Sequence, residues 1–280
     1  MGSSYADLEQ KAAWIRHQVF EMYVAAKRGH LVSSLSLTEI LVTLYYGGFY
    51  RYERGNPSPD RRDRLVVSKG HGATTLYPIL ADIGFIEASE FDRYAQADGI
   101  LRMHADPSIP GIDSVGGSLG QGLGLAAGFA LAAKRDGIDR RAFAILGDAE
   151  LYEGSIWETA IFAAHNELDN LVAVVDRNRL AILGETETLL RLEPLEEKFR
   201  SFGWAAVTVD GHSFEALHGA FEETLSRPAR VPTVVIADTI KGRGISFMEN
   251  DHEWHTRFPN ADQIERARTE LSAYTLRAEG

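Results

Sequence analysis

Apolar residues recur every three or four positions near the start of the chain. This spacing runs from about residue 5 to residue 28, and Gly29 follows where a glycine commonly ends a helix. Further on, Ser36 and Glu39 have capping-box spacing, in which each side chain satisfies an orphan backbone donor of the other residue. The pattern predicts one helix over 5–28 and a second over 36–46.

Beyond a loop rich in glycine, proline and charge over 47–63, the pattern changes to short apolar runs separated by helical stretches. The runs favour β-structure and lie at 65–67, 142–146, 171–175, 205–209 and 233–237. Strands that alternate with helices predict an α/β fold with a doubly wound, mostly parallel sheet and helices on both faces. No low-complexity stretch or charge block interrupts the chain, so we expect a single domain over 1–280.

Polar or glycine-rich segments follow four of these runs. Ligands of such sheets bind at the carboxyl ends of the strands, so the residues that matter most are those at 68–72, 147–150, 176–178 and 238–242.

Asp148 and Asn178 end neighbouring predicted strands, so both can direct an oxygen into one crevice. With a nearby backbone carbonyl they supply half of the oxygen shell that Mg²⁺ or Ca²⁺ prefers. The helix between them is expected to start at Ser155, with Glu158 completing a second capping box and the helix dipole favouring an anion. The same residues also make ordinary turns, and the spacing alone leaves both interpretations open.

A glycine-rich segment over 116–134 precedes and begins another predicted helix. Glycines there let backbone N–H groups approach a phosphate, but the segment has neither the Walker ending nor the spacing of the dinucleotide fingerprint. Close helix packing through small residues is the alternative explanation. Its candidates are Gly122, Gly124, Ala127 and Gly128.

Four histidines lie in glycine-rich or otherwise unusual surroundings and are candidates for proton transfer near neutral pH. They are His30, His71, His104 and His255. A structural or surface role is the alternative for each of them. That role is what we expect for the other histidines considered, which are His17, His165, His212 and His218.

Composition narrows the classes of function. A net charge of -11 and a pI near 5.3 argue against a broad nucleic-acid or anionic-membrane surface, so a polyanionic ligand needs a local site with a metal. There is no membrane-length apolar run and no signal-peptide pattern, which predicts a soluble, unexported, cytoplasmic protein. The absence of cysteine excludes disulfides, thiolate zinc sites and a cysteine nucleophile.

Several stretches together resemble the diphosphate-binding half of transketolases. The segment that begins "GDAE" and ends at Asn178 is similar to the thiamine diphosphate signature, which runs from Gly-Asp-Gly to a later asparagine. The other stretches occur in the family's order over about residues 10–258. They are "RLVVSKGHGATTLY", "IPGIDSVGGSLGQGLGLAAGFALAAK", "LYEGSIWETAIFAAHNELDNLVAVVDRN" and "TIKGRGISFMENDHEWH".

The resemblance implies thiamine diphosphate as cofactor, carried by Mg²⁺ or Ca²⁺ on Asp148, Asn178 and the backbone carbonyl of Leu180. The residues implied to bind the cofactor are His71, Gly117, Leu119, Gly147, Asp148, Ala149, Glu153, Asn178, Lys241 and His255. Those implied to be catalytic are His30, His71, His104, Glu153 and His255, of which Glu153 matches a glutamate at the family's subunit interface. The cofactor would stabilise a carbanion while the protein orients it and moves protons.

The family activates this cofactor with a glutamate of a pyrimidine-binding domain, for which this chain has no room. We therefore expect the N-terminal subunit of a split transketolase, which transfers a two-carbon ketol unit from a ketose to an aldehyde. The expected partner is a C-terminal subunit with the pyrimidine-binding domain, in a two-plus-two assembly that acts on a small sugar. Alternatives are a 2-oxo acid dehydrogenase or deoxyxylulose phosphate synthase subunit, or a scaffold without turnover.

Some positions depart from the family pattern. Ala149 stands where glycine is usual, and its methyl group fits if its φ is negative but crowds the diphosphate if φ is positive. "GHLVSSLS" replaces the usual Gly-His-Pro-Gly pattern, Thr256 stands where glycine is common, and Asp238 stands where histidine is common in split subunits. These changes lie at the expected mouth of the site and suggest a donor or acceptor other than the usual pentose-pathway sugars.

Overall fold

The computed structural model describes residues 4–226 and 230–278, with one parallel sheet at its centre. The strand order is β1-β2-β3-β5-β4, and every neighbouring pair is parallel. The strands are β1 (Arg64–Val67), β2 (Ala142–Gly147), β3 (Leu171–Arg177), β4 (Ala205–Asp210) and β5 (Thr233–Asp238). All five predicted strands are confirmed, each longer than predicted by one or two residues.

Helices cover both faces of the sheet. They are α1 (Tyr5–Ala26), α2 (Leu31–Leu35), α3 (Thr38–Tyr46), α4 (Leu76–Asp82), α5 (Gly122–Arg135), α6 (Gly154–His165), α7 (Thr186–Leu189), α8 (Leu195–Ser201), α9 (Phe214–Ser226) and α10 (Ala261–Ala278). Side chains alternate along the strands, so that Phe143 and Ile145 join the core under α1, α3 and α9, whereas Ala144 and Leu146 join the core under α5, α6 and α8. The predicted doubly wound α/β fold is confirmed.

The predicted capping box at Ser36 is wrong. The segment forms two helices, α2 and α3, and Leu37 at the N-cap of α3 makes no side-chain cap hydrogen bond. Ser36 Oγ instead donates to Asp176 Oδ2 at 2.7 Å, and Glu39 accepts from Arg16. Both side chains are buried, so long-range polar partners take precedence over a local cap.

Two other predicted helix boundaries also differ. The first helix ends at Ala26 because Lys27, not Gly29, takes the left-handed C-cap conformation. The capping box predicted for Ser155 and Glu158 is wrong, since α6 begins at Gly154 without a side-chain cap and Ser155 Oγ donates to the carbonyl oxygen of Gly120.

No helix within residues 4–226 and 230–278 is both long and apolar enough to cross a bilayer.

Candidate active site

A cavity of about 230 Å³ lies at the carboxyl edge of the sheet, where the predicted polar segments meet. Its walls come from the loops after β1, β2, β3 and β5, together with the start of α2 and the glycine-rich loop before α5. Twelve of the thirteen predicted site residues line it. They are His30, His71, His104, Gly117, Leu119, Gly147, Asp148, Ala149, Asn178, Leu180, Lys241 and His255.

The four candidate histidines form one cluster around His30. Its ring centroid lies 5.8 Å from that of His71, 5.2 Å from that of His104 and 5.3 Å from that of His255. Nδ1 of His30 and Nδ1 of His255 are buried and have no hydrogen-bond partner among the described residues. Both rings line the cavity, so a ligand there is a candidate partner for these nitrogens.

Three of the four rings, those of His71, His255 and His30, are held in their neutral form. Burial, followed by the positive charge of Lys69, holds the pKa of His71 well below its usual value. Burial and then Lys241 lower the pKa of His255 to about 4, and burial and then His104 lower the pKa of His30. At neutral pH each of these rings therefore presents one N–H donor and one acceptor nitrogen.

Hard oxygen donors also line the cavity, at the ends of β2 and β3. Asp148 Oδ1 accepts from the backbone N–H of Ala149 at 2.7 Å, and Asn178 Oδ1 accepts from that of Leu180 at 3.1 Å. Each of these oxygens keeps a lone pair, and the side chains of Asp148 and Asn178 are almost fully buried at the cavity wall.

Together with the backbone oxygen of Leu180, these donors fit a hard divalent cation that also takes oxygens from a phosphate. Within the described chain, no group of three or more His, Cys, Asp or Glu side chains is arranged around a metal position. A cation here therefore depends on the amide of Asn178 and the backbone oxygen of Leu180 besides the single carboxylate of Asp148. Burial and then the neighbouring Asp176 raise the pKa of Asp148, which a bound cation would lower again.

Cationic side chains balance this acidic wall. Lys241 Nζ donates to the carbonyl oxygen of Leu180 at 3.1 Å, and burial and then Lys69 lower the pKa of Lys241 to about 8. Arg177, almost fully buried, donates to Asp148 Oδ2 at 3.1 Å. Arg177 also pairs with Glu187 and Glu193 and does not line the cavity, so the positive charge that an anionic ligand meets there comes from Lys69 and Lys241.

The glycine-rich loop approaches the cavity along its backbone. Gly120 has a φ of +84°, and a Cβ atom on Gly122 would lie 2.3 Å from Ser68 Oγ, so both positions require glycine. Glu150, fully buried, accepts from the backbone N–H groups of Gly120 at 2.8 Å and of Gly147 at 3.0 Å. The packing explanation for the loop holds for Gly122, whereas a Cβ on Gly128 would face open space.

Among the predicted site residues, one lies outside the cavity and another departs from the family pattern without strain. Glu153, the thirteenth, is exposed at the N-cap of α6 and does not line the cavity. Ala149 lies in a short 3₁₀ helix, Ala149–Tyr152, and has a negative φ, so its methyl group is accommodated without backbone strain.

Five cavity residues were not predicted from the sequence. They are Ser33, Lys69, Glu150, Ala181 and Ile182. Lys69 and Glu150 lie within predicted polar segments, directly after apolar strands, and a charged residue in that position is a signal that could have identified them.

A larger cavity of about 660 Å³ lies elsewhere, between α1, the segment after β5 and α10. It contains none of the predicted site residues, and its lining includes Arg16, Glu39 and His212. The side chain of His212 is 8% exposed there, with Nδ1 at 2.9 Å from Glu39 Oε2 and Nε2 accepting from the backbone N–H of Ile240 at 2.8 Å. This agrees with the structural role expected for His212.

Residues 8–275 match the family model described as transketolase, thiamine diphosphate binding domain. The chain belongs to the transketolase family. This confirms the resemblance and the thiamine diphosphate-binding fold, and it decides against the other thiamine diphosphate enzymes considered.

Some transketolase relatives that are similar to this chain match it over nearly their whole length, and others match it over less than half of theirs. An apulose-4-phosphate transketolase subunit of Phocaeicola vulgatus is 37% identical over 95% of this chain and 94% of its own length. The 6-deoxy-6-sulfo-D-fructose transketolase subunit SqwG of a Clostridium species is 39% identical over 89% and 90%. Human transketolase is 38% identical over 89% of this chain but only 39% of its own length.

Solved transketolase structures have the same fold. The transketolase of Campylobacter jejuni superposes with a TM-score of 0.88 at 27% identity, over 97% of this chain and 45% of that chain. A Pichia stipitis transketolase mutant in complex with xylulose 5-phosphate superposes with a TM-score of 0.87 at 27% identity, over 95% and 41%.

Proposed function

We propose that this chain binds thiamine diphosphate through Mg²⁺ or Ca²⁺ held by Asp148, Asn178 and the carbonyl oxygen of Leu180. The observation that carries this proposal is that twelve residues predicted for one site, spread along the chain between His30 and His255, line the same cavity. Backbone groups of the glycine-rich loop and of the turn after β2 would hold the diphosphate, and Lys241 would balance its charge. The residues assigned to this binding are His71, Gly117, Leu119, Gly147, Asp148, Ala149, Asn178, Lys241 and His255.

Bound there, the cofactor supplies a carbanion-stabilising electron sink for breaking a carbon–carbon bond next to a carbonyl group. The chain's own contribution is proton handling and orientation. His30 and His255 line the cavity, and each has a buried Nδ1 without a hydrogen-bond partner among the described residues, while His71 and His104 complete the wall around them. Neutral rings can accept a proton from one substrate hydroxyl group and donate a hydrogen bond to another.

The ketol transfer itself requires a second type of chain. That subunit supplies the pyrimidine-binding domain, whereas residues 1–280 of this chain form one domain. Two copies of each subunit form the assembly, and Glu153 lies at an interface between subunits. Support comes from large apolar side chains that are left exposed on α5 and α6, which pack against each other, and in the segments at 115 and 182–190. They are Val115, Leu125, Ile161, Phe162, Ile182, Leu183, Leu189 and Leu190.

The substrate is a ketose or aldehyde other than the usual pentose-pathway sugars. Two relatives of the same length are named for apulose 4-phosphate and 6-deoxy-6-sulfofructose. A groove of about 550 Å³ shares His104 and Gly117 with the cavity and is bordered by Arg102 and Asp106, which places a second polar surface next to the site for the far end of a sugar. Full activity on xylulose and ribose phosphates would contradict this assignment.

A titration of the purified chain with thiamine diphosphate tests cofactor binding, because Trp254, next to His255, reports on the cavity by fluorescence. We expect saturable binding that requires Mg²⁺, is reversed by chelator and is lost in Asp148→Ala. Asp98→Ala, an exposed aspartate, is the matched control and should bind normally. Equal binding by both variants, alone and with the second subunit, would contradict the cation site.

A scaffold without turnover was suggested by Ala149 and the altered cavity mouth. The negative φ of Ala149 removes the first of these two reasons. Ketose cleavage by the two reconstituted subunits distinguishes the alternatives, since a scaffold would bind cofactor and release no aldehyde.

A further inference from the structure

A buried ion pair lies directly behind the proposed cation site. Lys69 and Asp176 have side chains that are 2% and 0% exposed, and Lys69 Nζ donates to Asp176 Oδ2. Lys69 follows β1 and lines the cavity, whereas Asp176 lies near the end of β3 and does not. Neither residue is assigned a role in the proposed cofactor binding.

The carboxylate of Asp176 joins four segments of the chain. Besides Lys69, its Oδ2 accepts from Ser36 Oγ at 2.7 Å, and its Oδ1 accepts from Thr239 Oγ1. Although burial raises the pKa of this carboxyl, Lys69 and these donors outweigh it and hold the pKa below its usual value. The segments before α3 and after β1, β3 and β5 are thereby fixed to one charged group.

Both proposed side-chain ligands of the cation are attached to Asp176. Asn178 Nδ2 donates to Asp176 Oδ2 at 3.4 Å, and the backbone N–H of Asp148 donates to the carbonyl oxygen of Asp176 at 3.3 Å. A carboxylate attracts only the N–H₂ side of an amide, so Asn178 Oδ1 is directed away from it. A reversed amide would offer the cation a donor group and could not bind it.

We propose that Asp176, held in place by Lys69, is a positioning residue that orients Asn178 and so sets the geometry of the cation site. The inference rests on the proposed function, because it assumes that Asn178 binds the cation. Partners behind a metal ligand fix its orientation, and removing one weakens metal binding by about 10–100-fold.

A role in stability alone does not explain the arrangement. A buried ion pair can be replaced by apolar side chains of similar volume with little loss of stability, whereas removing one partner is costly. An apolar pair cannot hold the amide of Asn178. The double variant Lys69→Met/Asp176→Leu therefore separates positioning from stability.

The experiment titrates Mg²⁺ and Ca²⁺ into each variant at a fixed thiamine diphosphate concentration, following tryptophan fluorescence, and records thermal unfolding without ligand. Mg²⁺ demands near-ideal octahedral geometry and Ca²⁺ tolerates distortion, so a misplaced Asn178 should weaken Mg²⁺ binding more. We expect Lys69→Met and Asp176→Leu each to weaken Mg²⁺ binding by about 10-fold or more, with a smaller loss for Ca²⁺. The matched control is the double variant Lys134→Met/Asp169→Asn, which removes an exposed ion pair and should change neither Mg²⁺ binding nor Ca²⁺ binding.

The double variant decides between the two roles. Positioning predicts that its thermal stability recovers toward the parent while its preference for Ca²⁺ over Mg²⁺ persists. Recovery of stability and Mg²⁺ affinity together, or an unchanged ratio of Mg²⁺ to Ca²⁺ affinity in the single variants, would overturn the inference. Absence of metal-dependent binding in the parent would instead overturn the proposed function, and this inference with it.

Discussion

Arg16 and Glu39 form a buried ion pair, with Nη2 2.6 Å from Oε2 and with side chains that are 0% and 5% exposed. Glu39 also contacts His212, which accepts a hydrogen bond from the backbone of Ile240, the residue before Lys241. Burial by itself would raise the pKa of Glu39, but the charge of Arg16 and the contact with His212 lower it to about 2. The pair therefore joins α1 and α3 to the segment that carries Lys241.

Replacing Glu39 by glutamine is expected to destabilise the protein by about 3–5 kcal/mol, because it leaves the buried Arg16 guanidinium without its carboxylate. The measurement is urea denaturation, with the exposed Glu9→Gln on α1 as the control. A loss of about 1 kcal/mol would instead be typical of a helix cap and would contradict the ion-pair role.

Gly122→Ala should lower both stability and cofactor affinity, because the new methyl group lies 2.3 Å from Ser68 Oγ and 2.8 Å from Ser68 Cα. Overpacking of this kind costs about 1–3 kcal/mol. Gly128→Ala, in the same helix, meets no atom within 4 Å and should stabilise α5 by about 0.5–1 kcal/mol. Thermal unfolding and the cofactor titration measure both effects, and equal behaviour of the two variants would contradict the close approach of α5 to β1.

Ala149→Gly should leave the dissociation constant for thiamine diphosphate within about 3-fold of the parent value, which corresponds to less than about 0.7 kcal/mol. The negative φ of Ala149 already permits a methyl group, so its removal frees no strained backbone. Stability should fall slightly, since glycine has more conformational freedom in the unfolded chain. A gain in affinity of about 10-fold or more would show that the methyl group crowds the diphosphate.

The neutral state of His255 makes stability depend on pH. Its pKa is about 4 in the folded protein, against an ordinary value of 6.5, so the unfolded chain binds a proton first as pH falls. The stability contributed by neutral His255 is complete above about pH 6.5 and is lost as pH falls toward about 4. The expected loss of unfolding free energy over this range is about 1–2 kcal/mol.

His255→Asn tests this dependence, because asparagine does not titrate. Denaturation of the metal-free chain between about pH 4 and 7.5 should give the parent a steeper rise of unfolding free energy with pH than the variant. Parallel curves for the two proteins would show that His255 titrates normally.

Ile161 is expected to lie in a subunit contact, since it is 56% exposed on α6 next to the exposed Phe162 and near α5. Sedimentation at micromolar concentration should show self-association of the parent, with a dissociation constant raised by about 10-fold or more in Ile161→Glu. Ile138→Glu is the matched control, because Ile138 is also exposed but lies before β2, at the opposite edge of the sheet from the cavity. A monomeric parent would contradict the contact.

The sequence by itself determined the parallel sheet, because each strand is a short apolar run whose burial requires no particular distant partner. It also indicated the edge at which a ligand binds, since polar residues such as Asp148 and Asn178 directly follow strands. The family could be recognised from motifs that occur in a fixed order. The residues of these motifs are determined by the chemistry of the site more than by packing.

Only the tertiary structure decided what the buried charged residues do. Ser36 and Glu39 have the spacing of a local cap, yet Ser36 binds Asp176 and Glu39 binds Arg16, residues that are distant in sequence. Likewise, the sequence does not show that Lys69 reaches Asp176, 107 positions away. The physical reason is that a buried charge must find an opposite charge or a hydrogen-bond donor, and folding rather than spacing determines which residues come within reach.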